Sequence, residues 1–263
     1  MASGLEPLHR LPTAGVVGVF CDIDDTLTTD GRLVPDAFAA LHRAKASGLR
    51  VVPVTGRPAG WVDHIARMWP VDGVVGENGG LWFWHDGRKL QRRHLQSVQQ
   101  RQRHREQLTE LGERILREVP GTALASDQPY RELDLAIDFC EDVPALPDAS
   151  IDQIVAAFEA AGATCKVSSI HVNGWFGSFD KLTGCERFVA DRWGEDAASL
   201  SDWVFVGDSA NDEPLFQRFP RSVGVANVRH FLPRMTHHPA FVTPSEGGRG
   251  FAELVEHLLA SRG

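Results

Sequence analysis

The chain has 263 residues, a formal net charge of −8 and a hydrophobic content of 43%. Its length permits one large or two modest domains, and its composition is that of a globular protein rather than a fibrous or disordered chain. Because the whole molecule repels nucleic acid and phosphate, an anionic ligand requires local positive groups or a metal ion. We therefore expect no nucleic-acid partner.

The apolar runs 14–21 and 50–54 are far shorter than the ~20 residues of a membrane-spanning helix, and the N-terminus lacks a signal-peptide pattern. The four cysteines are scattered without a CxxC pair, which suits a reducing compartment. We expect a cytoplasmic protein without a membrane partner. The basic run 88–105 contains no acidic residue and no interleaved aromatic residue, which favours a solvated helix face over a nucleic-acid patch.

Strands and helices alternate at the start of the chain. The pattern predicts, in order, a strand at 15–21, a helix at 35–46, a strand at 49–54, a helix ending at Met68 and a strand at 71–75. This rhythm is typical of an α/β fold with a Rossmann-like, doubly wound parallel sheet. Residues 1–14 are expected to form a loose tail.

The alternation of strands and helices stops after 77–80 and resumes at Asp180. Between them the pattern predicts a hairpin from 81, a long helix, strands at 122–126 and 133–139, a helix at 151–161 and strands at 164–169 and 171–176. After them it predicts a helix at 182–193, a strand at 203–206, a helix ending at Phe219, strands at 223–226 and 240–242 and a helix at 251–260. We expect a core formed by 15–80 and 180–263, interrupted by an α+β cap domain at 81–179.

Polar clusters follow three predicted core strands at their carboxyl ends, where open α/β sheets bind ligands. Asp22 and Asp24 follow the first strand, and Asp208 and Asp212 follow the strand at 203–206. Crowded carboxylates repel one another, and Mg²⁺ would relieve this repulsion because it prefers oxygen ligands. A magnesium site is therefore expected.

Donors suited to phosphate oxygens complete the pattern, because Thr55 and Arg57 follow the second strand and Lys181 stands where the core resumes. The clusters resemble the four ordered motifs of the haloacid dehalogenase superfamily, in the segments Asp22-Ile23-Asp24-Asp25-Thr26, Thr55-Gly56-Arg57, Lys181 and Gly207-Asp208-Ser209-Ala210-Asn211-Asp212. An insertion between the second and third motifs resembles subfamily IIB, whose large α+β cap is found in sugar-phosphate phosphatases of the sucrose-phosphatase, trehalose-phosphatase and Cof type.

The resemblance implies a role for each motif. Asp22 would be the nucleophile, Asp24 would serve as general acid and base, and Thr55 and Lys181 would stabilise charge on the phosphoryl oxygens. Mg²⁺ would be held by the Asp22 carboxylate, the Asp24 backbone carbonyl and Asp208. The supporting positions are Gly56, Arg57, Ser209, Asn211 and Asp212.

Substrate choice is expected to depend on the insertion, because a cap over the crevice excludes water and contacts the leaving group. Arg131 is the candidate for binding a second anion, His171 and Asn173 for binding hydroxyls, and Trp175 for stacking on a sugar face. Each of these residues also has a structural interpretation, as part of an α+β layer.

We therefore expect a Mg²⁺-dependent phosphomonoester hydrolase whose partner is a small-molecule phosphate ester, such as a sugar phosphate, in a monomer or homodimer. A calcium loop at 22–33 is excluded because its sixth and twelfth positions hold leucine. Two alternatives stay open. One is a sugar phosphomutase of the same fold, and the other is a non-catalytic binding or regulatory protein.

Overall fold

The computed structural model describes residues 4–168 and 170–260. The strands are β1 (Glu6–Pro7), β2 (Gly18–Cys21), β3 (Thr28–Thr29), β4 (Arg32–Leu33), β5 (Arg50–Pro53), β6 (Val74–Gly76), β7 (Leu81–His85), β8 (Leu90–His94), β9 (Ala123–Leu124), β10 (Asp134–Asp138), β11 (Thr164–Val167), β12 (His171–Trp175), β13 (Trp203–Gly207), β14 (Arg221–Gly224) and β15 (Phe241–Val242). The helices are α1 (Pro35–Ala46), α2 (Ala59–Met68), α3 (Val98–Glu118), α4 (Asp148–Ala160), α5 (Lys181–Trp193), α6 (Glu213–Arg218) and α7 (Gly247–Ala260).

The central sheet has the strand order β1-β15-β14-β13-β2-β5, and every pair in it is parallel. Side chains of β2 alternate between two cores: Val19 and Cys21 pack with α1, α2 and α7, whereas Phe20 packs with α5 and α6. Helices therefore cover both faces, as the period-2 alternation of a buried parallel strand requires. The predicted α/β, Rossmann-like, doubly wound core is confirmed.

The N-terminal segment differs from the predicted loose tail. Strand β1 pairs in parallel with β15 at the edge of the central sheet, and Leu8 and Leu11 are buried in the core. The prediction is wrong for residues 4–14, because their backbone completes a sheet edge and two leucines leave water. Residues 1–3 lie outside the described residues.

The hairpin β7–β8 lies with the core. Strand β7 pairs antiparallel with β6, and a parallel bridge between Val54 and Val75 links β6 to the end of β5. Leu81 and Phe83 join one core cluster, and Trp82 and Trp84 join the other. This differs from the expected start of the cap at 81, because pairing with β6 satisfies a sheet edge that would otherwise be open. Here "the insertion" means residues 95–179.

The insertion contains an antiparallel sheet in the order β11-β12-β10-β9, with α3 and α4 packed on one face. Val172 faces these helices, as does Gly174, where an added Cβ would lie 2.1 Å from the Phe158 ring. His171 and Asn173, which alternate with them, lie on the opposite face and line the cavity described below. The predicted α+β insertion is confirmed, and position 169 of the strand predicted at 164–169 lies outside the described residues.

The basic run 88–105 spans β8 and the start of α3. Arg92, His94 and Arg101 all contact the carboxylate of Glu132. Part of the run is thus held in an ion-pair cluster within the chain. No helix among residues 4–168 and 170–260 is long and apolar enough to cross a membrane.

The last helix begins at Gly247 rather than at the predicted residue 251. The glycines of its first turn indicate a loop by composition, but they permit close packing here. A Cβ at Gly248 would lie 2.6 Å from the Leu27 carbonyl oxygen, and one at Gly250 would lie 2.3 Å from the Ser245 carbonyl oxygen. The first turn of α7 therefore packs closely against the distant Leu27 and the nearby Ser245.

Candidate active site

The predicted polar clusters meet at one edge of the central sheet. Asp22 directly follows β2, Asp208 directly follows β13 and Thr55 lies two residues beyond β5. Because these parallel strands are neighbours, their carboxyl ends open into one crevice. A cavity of about 590 Å³ lies between this crevice and the helix-free face of the insertion sheet.

The deepest part of the site is a buried cluster of carboxylates around one ammonium group. Lys181 donates from Nζ to Oδ1 of Asp22 at 2.8 Å and to Oδ1 of Asp212 at 2.7 Å. Oδ2 of Asp212 accepts from the backbone N–H of Asp208 at 3.2 Å. All four residues are at most 4% exposed. Lys181 begins α5 beside Asp180, whose side chain caps the helix.

Burial and mutual repulsion perturb these groups. Burial, with the neighbouring Asp212 and Asp24, raises the pKa of Asp22 to about 7 against the lowering effect of Lys181. Burial raises the pKa of Asp208 as well, and Asp22 and Asp212 add to the effect. Burial alone would lower the pKa of Lys181, but the two carboxylates outweigh it and raise this pKa. The cluster therefore has more buried carboxylate than one lysine can neutralise.

The donor set fits a hard divalent cation. Carboxylate oxygens of Asp22, Asp208 and Asp212 all lie within 4.8 Å of one another. Both oxygens of Asp212 are already hydrogen bonded. Among residues 4–168 and 170–260, the Asp208 carboxylate has only long contacts, at 3.5 Å from Oγ1 of Thr26 and 3.4 Å from Nδ2 of Asn227. Asp22 and Asp208 are thus the carboxylates most available to Mg²⁺, which binds oxygen ligands.

The Asp24 side chain lies outside this cluster, in a bidentate pair with Arg57. Nε of Arg57 donates to both carboxylate oxygens at 3.2 and 3.1 Å, and Nη2 donates to Oδ1 at 2.9 Å. The same guanidinium lies 3.7 Å from Asp127 and 3.8 Å from Glu141 of the insertion, and it stacks over Trp61. Arg57 therefore connects the Asp24 carboxylate to the insertion.

Thr55 is fully buried, and its Oγ1 accepts from the backbone N–H of Arg57 at 3.0 Å. The carbonyl oxygen of Gly56 accepts from Arg131 at 3.0 Å. On the other side of the crevice, Oγ of Ser209 donates to Oδ1 of Asn211 at 3.0 Å, and both residues line the cavity. The structure thus brings the core candidates together around one cavity.

The candidate substrate-binding residues of the insertion do not all have side chains available to a ligand. Arg131, His171 and Asn173 line the cavity, but the side chain of Arg131 is 1% exposed and is bound by Asp127, Asp134 and the Gly56 carbonyl. A substrate anion would have to displace these partners, so the structure does not support the expected anion contact.

The predicted sugar contact of Trp175 is also unsupported. Trp175 is 1% exposed, stacks on Phe179 and does not line the cavity. His171 and Asn173 are cavity residues with partners of their own. Nε2 of His171 lies 2.8 Å from Glu141, outside hydrogen-bond geometry, and Nδ2 of Asn173 donates to the Asp134 carboxylate at 3.2 Å.

Glu77 is a buried carboxylate that is not among the predicted site residues. Its oxygens accept backbone N–H groups of Ala59, Glu132, Leu133 and Asp134 at 2.6–3.2 Å. Ala59 begins α2 of the core, whereas 132–134 belong to the insertion. Glu77 therefore ties the two parts together beside the cavity.

The conformation of the chain near Glu77 permits this contact. Glu77 and Asn78 have φ values of 43° and 55°, and a Cβ at Gly79 would lie 1.9 Å from the Asp180 carbonyl oxygen. The segment Glu77-Asn78-Gly79-Gly80 carried a signal for this tight reversal, but nothing local indicated the distant N–H groups.

Asn227 is a second residue of the site whose role has no signal in the neighbouring sequence. Its Nδ2 donates to the Asp25 carbonyl at 3.0 Å and contacts Asp208, and its Oδ1 accepts from the N–H of Gly247. It thus holds two loops of the crevice together from a position after β14.

The comparisons with known proteins agree with this geometry. Residues 19–116 match the sequence model of the haloacid dehalogenase-like hydrolases. A search of curated proteins found no significant match. Among solved structures, a protein of Thermoplasma acidophilum has a TM-score of 0.73 at 20% identity, covering 93% of this chain and 98% of its own.

Two further structures extend the likeness. A haloalkanoate (HAD) superfamily phosphatase of Bacteroides thetaiotaomicron has a TM-score of 0.61 at 21% identity, covering 98% of this chain and 99% of its own. The sucrose-phosphatase of Synechocystis, solved with sucrose and phosphate, has a TM-score of 0.65 at 16% identity, covering 92% and 98%. The comparisons confirm the resemblance to the haloacid dehalogenase-like hydrolases, in sequence over residues 19–116 and in fold over almost the whole chain.

Proposed function

We propose that this protein is a Mg²⁺-dependent phosphomonoester hydrolase that acts on a small polar metabolite, such as a sugar phosphate, through an aspartyl-phosphate on Asp22. The observation that carries the proposal is the state of the Asp22 carboxylate. One oxygen is held by Lys181, and the other accepts no hydrogen bond from residues 4–168 or 170–260. An oriented carboxylate with one free oxygen at the floor of a cavity suits nucleophilic attack.

In the proposed first step, an oxygen of Asp22 attacks phosphorus while the bond from phosphorus to the ester oxygen breaks. Asp24 gives its proton to the departing oxygen. In the second step, Asp24 takes a proton from water, and the water oxygen attacks the aspartyl-phosphate. Inorganic phosphate leaves, and the Asp22 carboxylate is restored.

Asp22, Asp208 and the Asp24 backbone carbonyl would hold Mg²⁺, and the bound ion would neutralise negative charge on the phosphoryl oxygens. Lys181 orients Asp22 and adds positive charge at the same place. Asp212 is assigned to holding Lys181 and the backbone of Asp208. Arg57 is hydrogen bonded to the Asp24 carboxylate. This ion pair therefore has to break before Asp24 can donate or accept a proton.

The insertion is proposed to act as a cap. It covers the crevice, and its residues Asn173 and His171 face the cavity from the helix-free side of the sheet. A closed cavity excludes water and contacts the leaving group. We therefore assign choice of leaving group to the insertion and chemistry at phosphorus to the core.

The test is phosphate release from a panel of sugar phosphates and other phosphomonoesters, with Mg²⁺ or with chelator. Asp22→Asn should lower release by about 10⁴-fold or more with the fold intact, because the amide is a poor nucleophile. The matched control is Asp63→Asn, an aspartate of α2 that forms an ion pair with Arg67 and does not line the cavity. Full activity in Asp22→Asn would contradict the mechanism.

Two results would favour the alternatives. Interconversion of hexose phosphate isomers without release of phosphate would identify a phosphomutase. Binding of phosphate esters without turnover would identify a non-catalytic binding protein.

A further inference from the structure

Five lysine and arginine side chains line the cavity, and they form two groups. Arg57, Arg131 and Lys181 are all bound to carboxylates. Lys166 and Arg234 are exposed, and their side chains form no hydrogen bond or ion pair with residues 4–168 or 170–260. These two cations are therefore available to a ligand.

Sheet register places Lys166 on the wall of the cavity. Lys166 lies on β11 directly opposite Asn173 on β12, and residues directly opposite in adjacent strands project from the same face of the sheet. Asn173 lines the cavity from this face, and so does Lys166. The lysine is therefore presented from the insertion on a strand rather than on a free loop.

Arg234 approaches from the core. It ends a short 3-10 helix, Leu232–Arg234, and Phe231 immediately before that helix also lines the cavity. The two free cations thus come from separate parts of the molecule, whereas the phosphoryl group would be held deeper, at Asp22 and Lys181. A substrate whose phosphate is at the floor would extend its leaving group between these walls.

Building on the proposed phosphatase function, we propose that Lys166 and Arg234 bind a second anionic group, which lies on the leaving group of the substrate. Preferred substrates are then phosphomonoesters whose alcohol portion bears a carboxylate or a further phosphate, rather than neutral sugar phosphates. Charge-assisted hydrogen bonds are about twice as strong as neutral ones. Such a group would therefore be distinguished from a hydroxyl in the same place.

Matched substrate pairs test this assignment. 3-Phosphoglycerate differs from glycerol 3-phosphate by a carboxylate in place of a hydroxymethyl group, and fructose 1,6-bisphosphate differs from fructose 6-phosphate by a second phosphate. We would measure kcat/KM for all four with Mg²⁺, in the unaltered chain, Lys166→Met and Arg234→Gln. The control is Arg103→Gln, an exposed arginine of α3 that does not line the cavity.

The expected result is a preference for the anionic member of at least one pair, with a loss of about tenfold for that member in Lys166→Met and Arg234→Gln. The neutral member should change less than twofold, and Arg103→Gln should change neither. If the kcat/KM preference and its loss in the variants appear only in the 3-phosphoglycerate pair, the bound group is a carboxylate. If they appear only in the fructose bisphosphate pair, the bound group is a phosphate.

Three results would overturn the proposal. Equal losses for both members, abolished by added salt, would show general attraction of phosphate rather than a subsite. Phosphate release with no preference for an anionic member would reject this inference and leave the proposed function standing. Absence of release from all four substrates and from p-nitrophenyl phosphate would reject the proposed function as well.

Discussion

Two buried polar networks lie on either side of the cavity, and they differ in how their charges are matched. In the crevice, the ammonium group of Lys181 is hydrogen bonded to Asp22 and Asp212, and the carboxylate of Asp208 lies close to both of them. At the junction with the insertion, Glu77 accepts four backbone N–H groups. Burial is similar in both, so burial alone does not distinguish them.

The difference is in what each network still lacks. Asp134, a carboxylate of the junction, is bound by Arg131 and Asn173. The crevice retains uncompensated negative charge and free oxygen atoms, and a buried charge without a partner is costly. The Glu77 oxygens at the junction are thus held by hydrogen bonds, even though burial and Asp134 raise the pKa of Glu77 to about 8. The crevice, in contrast, has carboxylate oxygens that are open to a cation and a reacting group.

The largest effect should come from removing the ammonium group of Lys181. Lys181→Met should lower the free energy of unfolding by about 3–5 kcal/mol, because it leaves two buried carboxylates without their partner. Mg²⁺ should restore part of this loss. Urea unfolding with chelator and with Mg²⁺ measures both, with the exposed Lys89→Met as control. A loss no larger than that of the control would contradict the description of the crevice.

Mutation of the junction should lower the free energy of unfolding, and Mg²⁺ should not restore it. Glu77→Ala should lower the free energy of unfolding by about 3 kcal/mol, because it leaves buried N–H groups of Ala59 and 132–134 without an acceptor. Urea unfolding with Glu118→Ala, an exposed glutamate of α3, is the comparison. Recovery by Mg²⁺ would mean that the two networks are not separate.

The stability of the metal-free protein should fall as pH rises, and the crevice should contribute part of this fall. The pKa of Asp22 is raised to about 7 from an ordinary value of 3.8, so between these values the native state binds more protons than the unfolded state. The free energy of unfolding should then decrease as pH rises from about 4 to 7, by up to about 1.4 kcal/mol per pH unit.

Melting temperature in chelator across this range measures the effect. Asp22→Asn should make the profile less steep, and Mg²⁺ should do the same by stabilising the ionised form. A fall should remain in both cases, because burial raises the pKa of Glu77 at the junction to about 8. A stability that rises through this range and is indifferent to Mg²⁺ would contradict the prediction.

The smallest effect separates backbone strain from charge. Asp25 and Asp30 have φ values of 55° and 51°, and burial with Asp24 and Asp30 raises the pKa of Asp25. Asp25→Gly should raise the free energy of unfolding by about 1 kcal/mol, because glycine adopts this conformation without steric cost and a repelled carboxylate is removed. Asp25→Asn, which removes the charge and keeps a side chain of similar size, reports the charge contribution alone. Chemical denaturation should show the larger gain for Asp25→Gly, and equal gains would exclude the backbone contribution.

Much of the core could be predicted because the information is local. Strands that alternate with helices form a parallel sheet, and its carboxyl ends meet at one edge. Asp22, Thr55 and Asp208 could therefore be assigned to one crevice from their positions after apolar runs. Helix α1 was predicted with its observed bounds, because Pro35 and Gly48 flank its apolar stripe.

The rest depends on contacts between residues far apart in the chain. The sequence predicts that Trp175 stacks on a sugar face, but only the fold shows that its ring stacks on Phe179 instead. Arg131 has the charge to bind an anion, yet the folded chain surrounds it with Asp127 and Asp134.

The sequence by itself determined the alternation of strands and helices and the residue types of the crevice, because both follow from side-chain periodicity and from short motifs. The tertiary structure alone decided which charges are matched, because a charge is neutralised by whatever the fold brings near it. Glu77 meets N–H groups some 55 residues ahead, and strand β1 meets a strand near the other end of the chain. Lys166 and Arg234, in contrast, line the cavity without a partner among residues 4–168 and 170–260.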